Sequence, residues 1–570
     1  MLKNIFIVII ACIGFANFSY SQIEANEQFP KNEIPEEQVY LHLNSCLLFS
    51  GEKLLYKFYC INPEQNKLSD LSKIGWVILV NSDKEKVFQH KLNLKRGQAY
   101  SDFSIPSNLP SGAYKILGYT SWMLNAEENY FEQDIHILNP YQKENKGLIL
   151  EESVVNKLKN IQSEPVSDFE IQLNKNLFST REEVVVTMDN IIEIVDALSI
   201  SVRRIDSFNK PARIKSTNYN KLFKNKILNF SDTLIIPEVR GSLVRGKVTL
   251  KDRSSINSKN LILSFPGEPS QVNIISIGKN GDFNFTINNE LAGEELLMQL
   301  IDHTQKDYSI SLIQPLLPDL DLLIFEKPVI QQNFKDYILD KSVNIQIDNA
   351  YSATKADRTI FKKDNGYFFD QELIQYNLDD YKRFPGVAQT FVEIIEYGRV
   401  KRNGDESHII LVGNKNANDD FSLPALLIVD GVVVQNHDLL VSFDSDKIQS
   451  IGLLRSKYFF GPEIFQGVVV VETKKGNFPE EFRGDYNRSA KLIPYQKEKK
   501  YYIPNYKKEK LERIPDYRYQ LLWNPEAIFT KNENTLRFYT SDLDGKFEIN
   551  LEGFTSGGKP ISISKTFEVK

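Results

Sequence analysis

Three cysteines and six histidines in 570 residues leave little with which to build a thiol or metal site. His42, His90, His136, His303, His408 and His437 never stand three to five residues apart. No helical His pair or zinc knuckle is therefore available. There is no glycine-rich phosphate loop and no GxSxG elbow, and Gly241 to Gly246 (GSLVRG) reads as a short strand between glycines. A net charge of −6 gives no reason to expect nucleic acid as a partner. Past the N-terminus, no apolar run approaches the ~20 residues that a helix needs to cross a bilayer. The expected catalytic, cofactor-binding and metal-binding residues are accordingly none, and the chain is expected not to be an enzyme. The acidic pairs Glu151-Glu152 and Asp419-Asp420 read as solvated loops.

Aromatic residues, by contrast, reach 11 %, with 26 Tyr and 36 Phe. Such side chains fit pleated surfaces, so the expected fold is mainly β. The first 22 residues, MLKNIFIVIIACIGFANFSYSQ, hold one Lys, an apolar core and the small residues Ser19 and Ser21. That pattern is a signal peptide over 1–21, cleaved before Gln22. Ile9-Ile10-Ala11-Cys12 offers a second exported reading, a short lipobox with the lipid on Cys12. Cys46 and Cys60 remain in the mature chain. They are either a disulfide or two small buried residues on neighbouring strands.

The rest divides into modules. Residues 36–140 hold alternating strands punctuated by turns such as Pro110-Ser111-Gly112 and read as a β-sandwich. LFSTREEVVVTM at 177–188 echoes LFSGEKLLYKF at 48–58, so 166–232 reads as a second, smaller sandwich. A compact all-β module follows at 236–315, with Asn280-Gly281 as a hairpin turn. Residues 316–383 have weak periodicity and read as a linker with short helices in FKDYILDK and QELIQYNLDDY. Structure returns over 384–476, around LPALLIVDGVVV. There Asp430 sits between apolar runs and is weighed as a turn residue against a catalytic one; Asp-Gly favours the turn. The Tyr- and Lys-rich stretch 495–508 reads as a solvated connector and 510–570 as a last sandwich. Trp122 and Trp523 are expected to fill sandwich cores, the alternative being exposed anchors for a partner or a sugar.

Several of these segments resemble a known arrangement. GEKLLYKFYC with LPSGAYKILGYTSWMLN resembles the macroglobulin-type MG2 domain of exported Bacteroidota proteins. IPEVRGSLVRGKVTLKD with GKNGDFNFTI resembles a carboxypeptidase-regulatory-like domain. LPALLIVDGVVV with DKIQSIGLLRSKYFFGPEIFQGVVVVETKKG is similar to the plug of TonB-dependent receptors, and IPDYRYQLLWNPE with LRFYTSDLDGKFEINLEGFT resembles the terminal β-domain found beside them. A receptor barrel of 22 strands needs over ~200 residues. Fewer remain here after Gly476, so the plug-like unit is expected to stand without a barrel. Macroglobulin inhibitors carry a Cys-Gln thioester that these residues lack, which excludes covalent trapping of proteases.

The fold expected is a multidomain chain of Ig-like or macroglobulin-like β-sandwiches with one α+β plug-like domain. The resemblance implies an exported, non-enzymatic binding or scaffold protein, periplasmic or outer-membrane-associated. It would be an accessory of an outer-membrane transport, assembly or secretion complex. The expected partner is an outer-membrane protein, a β-barrel or its complex, reached without a transmembrane helix and without nucleic acid. Two alternatives stand beside it: a noncovalent macroglobulin-like protease-binding protein with a bait in 316–385, and a glycan- or peptide-processing enzyme with an unrecognised site.

Overall fold

The computed structural model describes residues 36–570, apart from 143–146, 152–168, 190–194, 207, 209, 224–233, 253–255, 257–258, 268–269, 288–293, 302–306, 361–372, 413–422, 482–487, 510 and 531–533. The expected leader, Cys12, Glu152, Asp419-Asp420 and His303 lie outside the described residues. The chain is mainly β, in several small sheets.

The first unit is a sandwich. One sheet joins Gln38–Leu43, Lys53–Asn62 and Gln98–Ser104; the other runs Leu47–Phe49, Phe131–Leu138, Gly112–Tyr119, Ile74–Asn81, Lys86–Asn93. Lys53–Asn62 is buried at every position but its first. A strand this apolar is covered on both faces. Val39, Leu41 and Phe58 face the five-stranded sheet, where they crowd Gly118 and Gly75. Tyr40, His42 and Tyr59 face the opposite way, against a second sandwich.

That second sandwich corrects the sequence reading. Glu183–Asp189 pairs with Glu170–Leu173 on one side and Thr535–Tyr539 on the other. Val195–Arg204 lies between Gln520–Phe529 and Gly545–Phe554, which continues into Pro560–Val569. The expected sandwiches at 166–232 and 510–570 are therefore two halves of one. Each half alone leaves strand edges unpaired, and the edges satisfy each other across the whole insertion. Their shared core holds Val184, Val186, Leu198, Ile200, Val202, Leu522, Phe538, Phe547 and Leu551.

Within the insertion, a three-stranded sheet (Asp282–Ile287, Ser242–Leu250, Tyr308–Ile313) faces a four-stranded one (Gln271–Ser276, Asn260–Phe265, Glu295–Leu300, Arg488–Lys491). The last strand arrives only after the next unit has been completed. That unit is a mixed sheet ordered Ile374–Asn377, Ile448–Leu454, Val468–Thr473, Leu426–Val429, Val432–Val433, with the helices Val387–Glu393 and Asp438–Val441. One face, with Leu427, Val429, Val469 and Val471, packs with Val387, Phe391 and Leu440. The other, with Leu426, Ile428, Val433, Val468 and Val470, packs on Ile262, Val272 and Ile274 of the neighbouring unit. Burial on both faces explains the uninterrupted apolar runs.

Residues 316–383 are not a linker with short helices throughout. Val329–Gln331 pairs in parallel with Ile149–Glu151, Lys335–Ala350 is one 16-residue helix, and Ile374–Asn377 is an edge strand of the mixed sheet. The Tyr-rich stretch is docked rather than solvated. Gln496 N donates to the Lys91 carbonyl at 2.8 Å, Lys499 Nζ reaches Asp102 at 2.8 Å, and Tyr501 donates to the same carboxylate at 3.2 Å.

Candidate functional site

The residues singled out in the sequence resolve into structural roles. Asp430 (φ 46°) and Gly431 (φ 80°) form a tight turn with both φ positive. The Asp430 carboxylate accepts from Thr473 N at 2.7 Å, Thr473 Oγ1 at 2.6 Å and Phe478 N at 3.0 Å, which ties the turn to the next strand and its exit. Cys46 and Cys60 are separate, buried free thiols. Burial pushes the Cys46 thiol up to about 11 and Cys60 well above its usual range. Trp523 is buried against the His42 ring, whereas Trp122 opens a short 3-10 turn and is only half-buried.

His42, His90, His136 and His437 are packing groups whose imidazoles burial holds below the ordinary range. His42 Nδ1 and Ser199 Oγ share a 2.6 Å hydrogen bond between the two sandwiches, and neither side chain reaches solvent. Burial holds the His42 imidazole well below its ordinary range. His90 bonds Tyr56 at 2.7 Å, and burial takes it down to about 4. The fold does bring His408 and His437 together, with ring centroids 5.9 Å apart. His437 is spent accepting from Ile409 N at 2.9 Å. Among the described residues no cluster of three His, Cys, Asp or Glu is placed to hold a metal.

Two polar constellations escape the sequence pattern. The first is the joint between the sandwiches. Lys341, fully buried on the helix Lys335–Ala350, reaches Asp206 at 2.7 Å and stands over the rings of Phe49 (4.4 Å) and Tyr519 (4.7 Å). Arg203 reaches Glu52 at 2.7 Å, and Tyr337 donates to Asp206 at 3.0 Å. Nearby, Arg518 grips Asp516 with two bonds of 2.7 Å. Every charge here has a partner, which is what buried charges require. This is cement.

The second is open. Residues 234–241 run against the first sandwich and enter the three-stranded sheet. Asn125 pins this strap by accepting from Ile235 N (2.7 Å) and donating to its carbonyl (3.0 Å). The Glu238 carboxylate accepts from Ser121 Oγ at 2.9 Å and Leu243 N at 3.0 Å. Tyr495 accepts from Ser242 N at 3.0 Å and donates to the Ile287 carbonyl at 3.1 Å. Between these walls lies a cavity of about 400 Å³. Its floor includes Trp76 and Lys91, 3 % and 4 % exposed. Lys91 Nζ sits 4.3 Å from the Tyr495 ring centre and 3.5 Å from Ser242 Oγ, and forms no ion pair among the described residues. Trp76 Nε1 turns toward the Glu238 carboxylate and favours its charged form. Burial brings Lys91 down to about 8, with Glu238 pulling the other way. Burial also raises Glu238, against the hydrogen bonds that favour its charged form.

The mouth is apolar. Ile236 (70 %), Ile313 (56 %), Val239 (45 %), Leu234 (39 %) and Leu316 (36 %) stand exposed around it. A group of apolar side chains left in water around a concave, mostly preformed site is the ordinary signature of a binding surface. No sequence signal marks it, because Lys91 is enclosed by Tyr495 and Ser242 from distant parts of the chain.

No protein-family model matches the chain, and no curated protein matches it. Solved structures that resemble it include Escherichia coli alpha-2-macroglobulin activated by porcine elastase, at 8 % identity and a TM-score of 0.24, covering 94 % of this chain and 44 % of that one. Salmonella alpha-2-macroglobulin reacted with methylamine shows 9 % identity and a TM-score of 0.22, covering 94 % and 39 %. Dimeric latent PorU from Porphyromonas gingivalis shows 10 % and 0.16, covering 52 % and 34 %. The chain thus spans less than half the length of these alpha-2-macroglobulins, and at such TM-scores the likeness carries no argument.

Proposed function

We propose that the protein is an exported, non-enzymatic binding protein acting at the outer membrane, in which a rigid row of β-units presents one crevice to a membrane-protein partner. One observation carries this reading. The internal joints are closed by paired charges and apolar sheet contacts, while Leu234, Ile236, Val239, Ile313 and Leu316 ring a concave opening. Exposed apolar surface held on a rigid frame is suited to recognition. The N-terminal leader pattern supports export, and the resemblance of several segments to outer-membrane-associated domains supports the location. No described helix is long and apolar enough to cross a membrane. The plug-like hairpin is not itself the docking surface, since both its faces are covered within the chain.

The test is photo-crosslinking from Ile236, Val239 or Ile313 in a tagged full-length chain, followed by mass spectrometry of the outer-membrane fraction. A β-barrel protein crosslinked from these positions, and not from exposed Val392 on the far unit, is the expected result. A monomer without crosslinks in the soluble extract overturns the proposal, as does a peptide- or glycan-cleaving activity of the purified chain.

A further inference from the structure

We infer that this crevice receives the C-terminal end of an apolar peptide chain, with its carboxylate held by Lys91 Nζ. The inference rests on the binding reading above and names the chemistry of what is bound.

Lys91 on the floor is a donor, is more than nine-tenths buried, and has no carboxylate in contact among the described residues. An ammonium removed from water with one 3.5 Å hydroxyl and one aromatic face is left short of acceptors. A carboxylate supplies several acceptor sites at once and would form charge-assisted bonds there. The charges lining the cavity agree, with Lys91, Arg240, Arg245 and Lys491 against Glu238. Glu238, which accepts from Ser121 and Leu243, acts on Lys91 through space and forms no ion pair with it.

The walls favour a peptide over another carboxylate. After the edge strand Tyr308–Ile313 the chain runs through 314–319 outside any sheet, with Gln314 and Leu316 exposed at the cavity. On the facing wall, 236–238 is likewise outside any sheet. Pro237, Pro315 and Pro318 have no N–H, and the Leu316, Pro237 and Glu238 carbonyls already accept from Tyr119, Val239 N and Lys73 N, so it is the backbone of Gln314 and Ile236 that can pair with an added extended chain, while the apolar rim takes its side chains. At ~30 Å³ per water in the liquid, about 400 Å³ holds roughly a dozen heavy atoms, or one to two terminal residues, the rest lying across the rim.

The immobilised full-length chain is offered two pools of octapeptides with apolar residues at their last four positions. The pools are identical except that one ends in a free carboxylate and the other in an amide, and bound peptide is read by mass spectrometry. At least tenfold more free acid than amide is expected. Lys91→Met should bring that ratio to about one, and Ile236→Asp, at an exposed position, should lower both pools alike. Equal recovery, no recovery, or a ratio unchanged by Lys91→Met overturns the inference. So does dodecanoate displacing the free-acid pool at a tenfold lower concentration than the peptides themselves, since an acyl carboxylate would then be the occupant. Outer-membrane crosslinks with a ratio of one sink this inference alone; a high ratio without crosslinks sinks the membrane assignment alone.

Discussion

Lys341 and Lys91 are both buried lysines, at 0 % and 4 % exposure, and they do opposite things. Lys341 lies on Asp206, between two aromatic rings, in a joint where every charge is matched. Lys91 lies over one ring at the floor of an open crevice, with no carboxylate in contact. Burial alone therefore does not separate structure from function. What separates them is whether the fold itself supplies the counter-group. Where it does, removal of a partner breaks the molecule; where it does not and the charge lines an open crevice, as at Lys91, the charge is available to a ligand.

The strongest way to break this comparison is Asp206→Ala. It leaves Lys341 buried with Glu52 only at 3.9 Å and should destabilise the joint by about 3–5 kcal/mol. Hydrogen exchange of the helix Lys335–Ala350 reads that loss directly. A change under ~1 kcal/mol would mean that the joint is not cement. Asp516 tests the same point by pH. Burial would raise its carboxyl, yet Arg518 holds it down at about 2. A folded pKa below the unfolded ~3.9 contributes stability above the unfolded value and loses it as pH falls from about 4 to about 2. The stability gap between the native chain and Asp516→Asn should therefore narrow by about 2–3 kcal/mol over that window.

Lys91 should behave in the reverse sense. Its folded pKa of about 8 lies below the unfolded ~10.4, so the unfolded chain binds more protons between those values. Stability should rise as pH climbs from about 8 to about 10.4, and Lys91→Met should abolish the rise. At neutral pH the same substitution should stabilise by about 1–3 kcal/mol, measured by urea unfolding. Destabilisation by that substitution would make Lys91 a structural group like Lys341. The smallest effect sharpens a third contact. Gly431→Ala places a Cβ 2.3 Å from the Ser270 Cβ at φ +80° and should cost about 1–2 kcal/mol, seen as faster proteolysis between the mixed sheet and its neighbour.

Strands with one buried face were legible in the sequence. Glu183–Asp189 and Asp282–Ile287 alternate strictly, and Asp430-Gly431 makes the turn that its residues favour. Partnership was not legible, because a strand pattern does not say which edge it meets. Two half-sandwiches therefore read as two domains. The helix Lys335–Ala350 was read only over its first half, as a short helix in FKDYILDK, for a different reason. The side chains it buries are Lys341, Ser342 and Ile345, so the stripe that docks it is mostly polar and shows no apolar period. The crevice was the least legible of all. Lys91 lies in KVFQHKLN, an unremarkable strand, and becomes a floor only when Tyr495 and Ser242 close over it.

The split sandwich also sets an order of events during synthesis. Val195–Arg204 leaves the ribosome roughly 315 residues before Gln520–Phe529, the strand that flanks it. At ~5–20 residues per second that is about 15–60 s with two naked sheet edges. A truncation before Gln520 would leave both edges of Val195–Arg204 open and so undo a domain begun near residue 170.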